Sequence, residues 1–321
     1  MDGFKSAVQN MVSGCSLRQK TLKGVTECEG TALHSGNLVK MRLCPAEPNS
    51  GIRFRRVDID PVIADITASF GNVVDTRLST TIANMHGVKV STIEHLMAAL
   101  SGCELDNLVV ELDAEEVPVM DGSAAPFIDM IEKVGILAQK SARKRIRVLR
   151  SVSVNEGSKF LELKPSKFPS INLEIDFDCE VIGHQSFALP MTKAAILECV
   201  SKARTFGFLH EVEALRKSGL ALGGSLENAV VISDGEILNT EGLRFPDEFI
   251  RHKILDCIGD LYLAGAPIIG SVIGSGSGHT LNNALLQALF DDEDAWDWDT
   301  EDSDRFVDFT HCYSQTLMSP A

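Results

Sequence analysis

The sequence predicts an α+β protein made of two similar halves. Strand-like segments alternate with helical ones along most of the chain, and one order of elements occurs twice. In each occurrence a histidine-bearing helix precedes a glycine-containing link, an apolar strand, a Gly/Ser turn and another helix. His95 precedes Gly122 by 27 positions, and His252 precedes Gly278 by 26. The repeat predicts two halves that share a cleft, although helix–strand–helix patterns are too common for it to establish a duplication alone.

The first half is predicted to cover residues 20–140. Strand-like stretches dominate residues 20–90, among them NLVKMRLCPA and GIRFRRVDI. STIEHLMAALSG has the apolar spacing of a helix, with Gly102 as its stop. DNLVVELD is typical of a buried strand, and DGSAAPFIDMIEKVGI predicts a turn and a helix with Ser123 as a candidate N-cap.

The second half is predicted to cover residues 141–289, after the polar stretch AQKSAR. It opens with KRIRVLRSVSV, continues with strands at KFLELKP and SINLEIDF, and then with a helix at TKAAILECVSKA. Asp234-Gly235 stands between VVIS and EIL and is a two-residue hairpin signal. PDEFIRHKILDCIGDLYLAG and HTLNNALLQALF predict helices on either side of the strand APIIGSVIG.

Both ends are predicted to lie outside the folded halves. Residues 1–19 lack the basic start and continuous apolar stretch of a secretory signal, so they predict a disordered tail. Residues 290–321 begin with an acidic run at 291–304, nine carboxylates without a base, which is typical of a solvated tail. No segment approaches the roughly 20 uninterrupted apolar residues that a membrane helix needs.

Composition narrows the class of protein further. The formal charge of −15 excludes nucleic acid as the expected partner, because phosphate backbones require basic surfaces. The eight cysteines are scattered singly, which argues against a disulfide framework and against a Cys-rich zinc knuckle. We interpret most of them as small core residues in a reducing compartment and expect a cytoplasmic protein. The sequence leaves the oligomeric state open, with a monomer as the expectation.

A candidate metal site comes from the two histidine-bearing helices. His252 and Asp256 stand four residues apart, so on a helix their side chains point the same way, and Asp260 extends this face. A lone HxxxD is more often a polar pair on a solvated helix surface. His95 would complete a set of two histidines and one aspartate, with an open position for water as catalytic zinc sites require.

Glu94 and His279 each have two interpretations. Ser91-x-x-Glu94 fits a capping box, in which Glu94 only reaches back to a backbone N–H. Beside a metal ion at His95, the same carboxylate would take a proton from water. His279 follows the glycine-rich turn GSGSGH and is either a residue at a helix start or an acid opposite the metal. In the second case Asp260 would keep it protonated.

The segment after KARTFGF is less informative. Thr205 has no chemical signature of its own, although Lys202, Arg204 and Phe206 place two bases and an aromatic ring around it. The stretch FLHEVEALRKSGLALGGSLENAVVIS is apolar, with Gly223-Gly224 in its middle. It predicts either ordinary core or an apolar channel, and periodicity does not decide between them.

Together the motifs resemble those of the UDP-3-O-acyl-N-acetylglucosamine deacetylase family, metal enzymes of lipid A synthesis in Gram-negative bacteria. The resemblance covers residues 20–289 and rests on TLKG, ALHSG, STIEHLMAAL, PVMDGSAAPF, ARTFGF, GLRFPDEFIRHKILDCIGD and SGHTLNN. So many motifs in the family's order make chance similarity implausible. The resemblance implies two β-α-α-β halves that sandwich their helices between sheets, with the metal at the junction of the halves.

The resemblance also implies roles for individual residues. The ion, Zn²⁺ or alternatively Fe²⁺, would be held by His95, His252 and Asp256. Glu94 would be the general base, and the hydroxyl of Thr205 would bind the oxyanion. His279 would be the protonated histidine, with Asp260 as its carboxylate partner. The substrate would be a UDP-linked acylated amino sugar. Its contacts near the metal and along an acyl-chain passage would be Lys253, Phe206, Leu209, Val212, Leu226 and Val231.

One position departs from the family pattern. The family commonly carries Lys or Arg two or three positions before the SGH histidine, but here the stretch is Gly274-Ser275-Gly276-Ser277. One cationic contact to the nucleotide or diphosphate is therefore expected to be missing, unless Lys144, Arg145 or Lys202 replaces it.

Two other classes of protein compete with a deacetylase. A non-haem iron oxygenase also uses two histidines and one carboxylate, but it usually places its first two ligands as HxD on strands. A catalytically inactive module that binds UDP-sugars or acyl chains would not need Glu94 and His279 beside a complete ligand set. We therefore expect the deacetylase.

Overall fold

The computed structural model describes residues 18–299. The strands of the first half are β1 (Arg18–Leu22), β2 (Thr26–Thr31), β3 (Leu38–Pro45), β4 (Ile52–Arg56), β5 (Asp65–Thr67), β6 (Val73–Asp75), β7 (Thr81–Ala83), β8 (Lys89–Val90), β9 (Leu108–Leu112) and β10 (Ile136–Ala142). Its helices are α1 (Glu94–Gly102) and α2 (Ala125–Val134), with a 3₁₀ turn at Phe70–Asn72.

The second half has a corresponding set of elements. Its strands are β11 (Arg145–Val148), β12 (Val152–Glu156), β13 (Lys159–Lys164), β14 (Ser170–Asp176), β15 (His184–Pro190), β16 (Phe206–Phe208), β17 (Val230–Ser233), β18 (Glu236–Ile237), β19 (Ile268–Ile269), β20 (Ser271–Ser275) and β21 (Trp296–Asp299). Its helices are α3 (Lys193–Ala195), α4 (Leu209–Lys217), α5 (Glu248–Leu261) and α6 (His279–Asp291). A π-helical turn at Ile196–Val200 continues α3, and a 3₁₀ turn at Tyr262–Ala264 follows α5.

Each half is built on a five-stranded sheet, and the two sheets have the same strand order. The orders are β2-β3-β9-β4-β5 and β12-β13-β20-β14-β15. In both sheets a strand that comes late in the half lies between two antiparallel hairpins. It runs antiparallel to the first hairpin and parallel to the second. The predicted α+β class is confirmed, and the shared topology agrees with the repeat in the sequence.

The predicted hairpin signal has its expected structure, and the structure adds a helix cap. Asp234 and Gly235 both have positive φ angles, 50° and 78°, at the turn between β17 and β18. Such angles are those of the two-residue hairpin that the pair predicts. Thr192 caps α3, because its hydroxyl accepts a hydrogen bond from the N–H of Ala195 at 3.2 Å.

The acidic segment after residue 290 contains a strand. β21 pairs antiparallel with β11, and the buried carboxylate of Asp299 lies 2.7 Å from Arg147 and 3.2 Å from Arg145. The Trp296 ring packs edge-on against Phe290. The prediction of a solvated tail is wrong for Trp296–Asp299, because two arginines compensate the charge of Asp299 and the Trp296 ring packs against Phe290.

The first and last strands of the first half pair with each other. β10 runs to Ala142 and pairs antiparallel with β1, which begins at Arg18. Residues 1–17 and 300–321, which the sequence assigns to tails, lie outside the described residues.

The two histidine-bearing helices cross at the centre of the molecule. Every residue of α1 except Ser101 is buried, and α5 packs over β14 and β15. A Cβ atom at Gly259 on α5 would lie only 2.0 Å from the carbonyl oxygen of Glu94 on α1. The two backbones can therefore approach this closely only because position 259 is glycine. No helix among residues 18–299 combines the length and apolar character that crossing a bilayer requires.

Candidate active site

Three buried side chains from the crossing helices converge where the halves meet. His95 lies on α1, and His252 and Asp256 lie on α5, and their ligand atoms all fall within 4.8 Å of one another. The Nε2 atoms of His95 and His252 lie 3.6 and 3.3 Å from Oδ1 of Asp256. Two imidazoles and one carboxylate are a donor set that suits catalytic zinc or non-haem iron.

The surroundings of these side chains fit a bound cation. Nδ1 of His252 lies 3.0 Å from the carbonyl oxygen of Ala203, so this nitrogen carries the ring proton and Nε2 keeps its lone pair for the site. Lys253 donates to Oδ2 of Asp256 at 2.9 Å. Oδ1 of Asp256 is buried and has no hydrogen-bond partner among the described residues. Because an unpaired buried carboxylate oxygen is costly, a divalent ion among these three donors fits the structure.

The ionisation of the donors agrees with this fit. Burial lowers the pKa of His252 to about 3, so the ring is neutral, as a metal ligand must be. Burial opposes ionisation of Asp256, but the attraction of charged neighbours, with the Lys253 ammonium only 2.9 Å from Oδ2, holds the pKa of this carboxyl well below its usual range. The donor set therefore offers a neutral nitrogen from His252 and a negative oxygen from Asp256.

Glu94 is a buried carboxylate at the start of α1. Its Oε2 accepts a hydrogen bond from the N–H of Thr80 at 3.0 Å, and burial raises its pKa above the usual value. The capping-box interpretation is wrong. No side chain caps the first turn of α1, and the Ser91 hydroxyl donates to the carbonyl of Glu115 instead. The other oxygen of Glu94 thus faces the site rather than the helix terminus.

His279, the first residue of α6, lies opposite Glu94. Its Nε2 is 3.8 Å from Oε1 of Glu94, and its Nδ1 is 2.8 Å from Oδ2 of Asp260. Burial alone would lower the pKa of this imidazole, but the carboxylates of Asp260 and Glu94 outweigh burial and raise it to about 9. At neutral pH His279 is therefore a cation that can donate a hydrogen bond or a proton.

Two residues that the sequence did not single out complete the surroundings of Asp260. Asn282 donates to Oδ2 at 2.7 Å, and the Thr80 hydroxyl donates to Oδ1 at 2.5 Å. Asn282 lies three residues after His279, so the spacing on one helix face was an available signal. Thr80 carries no such signal, because a loop of the first half brings it to the site.

Residues 203–206 run alongside α5. The N–H of Thr205 donates to the carbonyl of Gly122 at 2.8 Å, so a turn of the first half holds this residue. The Phe206 ring lies 6.2 Å from the His252 ring, and Nζ of Lys253 lies 5.8 Å from the Phe206 ring. The structure thus brings Lys253 and Phe206 together beside the donor set, and Thr205 precedes them on the same segment.

The four residues assigned to an acyl-chain passage lie in one small unit. Leu209 and Val212 are on α4, which contacts β16 and β17, Leu226 is in the following loop, and Val231 pairs with Gly207 in the small sheet. Val231 is buried, but Leu226 is 43% exposed, and α4 has no buried residue. The unit therefore presents apolar side chains to solvent next to Phe206.

Gly276, where the sequence departs from the family pattern, has little space around it. Gly276 has a φ of +67°, and a Cβ atom there would lie 2.7 Å from Cγ of Lys159. Two of the candidate replacement cations are engaged with β21 instead. Arg145 pairs with Asp299 at 3.2 Å, and Nζ of Lys144 lies 5.7 Å from the Trp298 ring.

A metal-binding donor set between two α+β halves, with a carboxylate on one side and a protonated histidine on the other, defines a metal-dependent hydrolase. Residues 19–291 match the model of the family described as UDP-3-O-acyl N-acetylglycosamine deacetylase. The chain belongs to this family, in agreement with the resemblance seen in the motifs.

Individual relatives are similar over nearly their whole length. The UDP-3-O-acyl-N-acetylglucosamine deacetylase of Haemophilus influenzae (strain 86-028NP) is 46% identical over 292 residues, which cover 90% of this chain and 95% of the relative. The enzyme of the same name from Thioalkalivibrio sulfidiphilus (strain HL-EbGR7) is 47% identical over 283 residues, or 88% and 92% of the two chains.

Proposed function

We propose that this protein hydrolyses the N-acetyl group of UDP-3-O-(3-hydroxyacyl)-N-acetylglucosamine, releasing acetate at the committed step of lipid A biosynthesis. The observation that carries the proposal is the approach of Glu94 to His279, 3.8 Å apart beside the donor set. Amide hydrolysis needs a base to deprotonate water and an acid to protonate the leaving amine. This pair supplies both, one from each half of the molecule.

We propose that His95, His252 and Asp256 hold Zn²⁺, with Fe²⁺ as the alternative because the same donors suit both ions. When bound, the ion would polarise the acetamide carbonyl and acidify a water molecule at the open coordination position. The unpaired Oδ1 of Asp256 supports this assignment.

The residues around the donors are proposed to transfer protons and to stabilise the developing negative charge. Glu94 takes the proton of the attacking water, for which a raised pKa is an advantage. The Thr205 hydroxyl and the protonated His279 donate hydrogen bonds to the oxygen that becomes negative, each contributing about 3 kcal/mol when well placed. His279 then gives its proton to the departing nitrogen, and Asp260, which lies 2.8 Å from Nδ1 of His279, stabilises the cation until that transfer.

Substrate binding is proposed to involve both a polar and an apolar region. Lys253 and Phe206 contact the sugar, because they lie together beside the donors. The acyl chain lies along Leu209, Val212, Leu226 and Val231, and the partly exposed apolar surface of this unit supports that placement. Burying such surface on a ligand is favourable by roughly 25 cal/mol per Å².

We also propose that the protein is a cytoplasmic monomer. The cysteines support the cytoplasmic location, because Cys28, Cys44, Cys103, Cys179, Cys199 and Cys257 are all free. Free thiols are usual in a reducing compartment.

Acetate release from the UDP-linked substrate tests the function directly. We expect release by the purified protein, loss of release after chelation, and recovery when Zn²⁺ or Fe²⁺ is added back. Glu94→Gln, loaded with the same metal, is the matched control and should be nearly inactive. Tight substrate binding without acetate release under any metal would identify a binding module, and oxygen consumption would identify an oxygenase.

A further inference from the structure

Thr80 is a buried residue of the first half, 2% exposed, just before β7. All three of its polar groups contact the residues around the site. Its N–H donates to Oε2 of Glu94 at 3.0 Å, and its carbonyl accepts from the N–H of Ile93 at 3.4 Å. Its hydroxyl donates to Oδ1 of Asp260 at 2.5 Å. One residue thus connects the carboxylate on α1 with the carboxylate on α5.

The hydroxyl contact matters because the two oxygens of Asp260 have separate partners. Oδ2 is occupied by His279 and Asn282, and among the described residues Thr80 supplies the hydrogen bond to Oδ1. The same loop touches α6 a second time, where the hydroxyls of Thr76 and Thr280 lie 2.9 Å apart. The loop therefore contacts α1, α5 and α6, and the Thr80 hydroxyl is the group of this loop that hydrogen-bonds to Asp260, the partner of His279.

We propose that Thr80 is a positioning residue for the reaction, holding Glu94 through its backbone and adjusting the Asp260–His279 pair through its hydroxyl. This inference rests on the deacetylase function proposed above. It differs from a structural role of the loop, because it assigns the effect to one hydroxyl group and its hydrogen bond rather than to packing.

The expected direction follows from the charges around His279. The groups that face it are Asp260 and Asp256 on α5 and Glu94 on α1. A donated hydrogen bond spreads the negative charge of Asp260 and makes this carboxylate less basic. Without the hydroxyl, Asp260 holds the proton of His279 more tightly. His279 then gives up its proton less readily and at higher pH.

Thr80→Val tests the proposal, because valine keeps the branched shape and the backbone N–H to Glu94 but removes the hydroxyl. We expect kcat to fall roughly tenfold, the scale of one hydrogen bond to a charged group, with KM nearly unchanged. The loss of activity at high pH should move upward by about half a pH unit or more. Thr80→Ser keeps the hydroxyl and should retain both the rate and the pH profile.

A second pair of variants keeps the test valid if valine is not tolerated. Thr80→Ala and Thr80→Ser both lose the methyl group and differ only in the hydroxyl, so their difference isolates the hydrogen bond. Thr76→Val removes a hydroxyl from the same loop that contacts Thr280 instead of Asp260, and should leave the pH profile unchanged.

Titration of the histidine rings by NMR, with His279 assigned through His279→Gln, gives a readout that does not depend on turnover. We expect the pKa of His279 to be higher in Thr80→Val than in the wild type. The proposal is wrong if the pKa of His279 and the loss of activity at high pH are both unchanged while the melting temperature falls. In that case Thr80 has only a structural role. A wild type that releases no acetate would refute the proposed function, whereas the NMR comparison would still decide the role of Thr80.

Discussion

The two halves share one sheet topology but carry different chemistry. α1 precedes the inserted strand β9, and α5 precedes β20, so the two helices are equivalent in position. α1 presents Glu94 and His95 in its first turn, whereas α5 presents His252, Asp256 and Asp260 along one face. The repeat thus supplies the frame, while the proposed base and the proposed acid come from different halves. The site forms only where the halves pack together. The tests below therefore measure how metal binding, turnover and stability depend on residues of each half.

The largest effect is expected from removing one metal ligand in either half. His95→Ala and His252→Ala should each lose most bound metal and nearly all activity, because three protein ligands leave no spare. Elemental analysis after dialysis measures the metal, and Val62→Ala, at a side chain that is 86% exposed, serves as the control variant. Stoichiometric metal in either histidine variant would show that one half binds the ion by itself.

Glu94→Gln distinguishes a role of Glu94 as the base from a role in the stability of the first half. Glutamine keeps an oxygen for the Thr80 N–H but cannot accept a proton at neutral pH. We expect turnover to fall by about 10²- to 10⁴-fold, with the melting temperature nearly unchanged. If turnover stays within a few-fold of the wild type, Glu94 is not the base and the first half supplies no proton acceptor for the reaction.

His279→Gln tests the acid of the second half through pH dependence. Since Asp260 and Glu94 raise the pKa of His279 to about 9, the cation is present below that pH and is lost as pH rises through it. kcat/KM should therefore fall above about pH 9 in the wild type. In His279→Gln we expect a rate about 10²-fold lower and no such limb. Asp260→Asn should move the limb to lower pH. A limb that persists unchanged in both variants would belong to another group.

Gly259→Ala tests the contact between the halves rather than their chemistry. The new methyl group would meet the carbonyl oxygen of Glu94 at 2.0 Å, so α1 and α5 must separate. We expect a loss of about 1–3 kcal/mol in the free energy of unfolding, together with weaker metal binding. Gly71→Ala, where the nearest atom is 4.0 Å away, is the control. Unchanged stability and metal affinity would show that the helix crossing tolerates expansion.

Features that depend on local pattern could be predicted from the sequence. The helix Glu94–Gly102 follows from its apolar spacing and its glycine stop, and the turn at Asp234-Gly235 follows from the hairpin rule. Thr80 could not be predicted in this way, because only packing of a loop against α5 gives it a role. The acidic strand Trp296–Asp299 was missed for a related reason, since its compensating arginines stand about 150 residues earlier.

The smallest effect is expected at Gly276, close to the cationic contact that the family commonly has and this sequence lacks. Restoring a cation there would be expected to strengthen substrate binding. The positive φ of +67° and the 2.7 Å approach to Cγ of Lys159 change that expectation. A lysine here strains the turn at a cost of about 1–2 kcal/mol and must displace the Lys159 side chain, so the turn has little room to present the new charge to a ligand.

We therefore expect Gly276→Lys to melt a few degrees lower, with KM changed by less than about twofold at low salt. Gly276→Ala carries the same backbone strain without the charge, so the difference between the two variants isolates electrostatics. If lysine but not alanine lowers KM, and salt abolishes the gain, the diphosphate lies near this turn. In that case the second half binds the nucleotide end as well as supplying the acid, and the asymmetry between the halves is larger than the helices alone indicate.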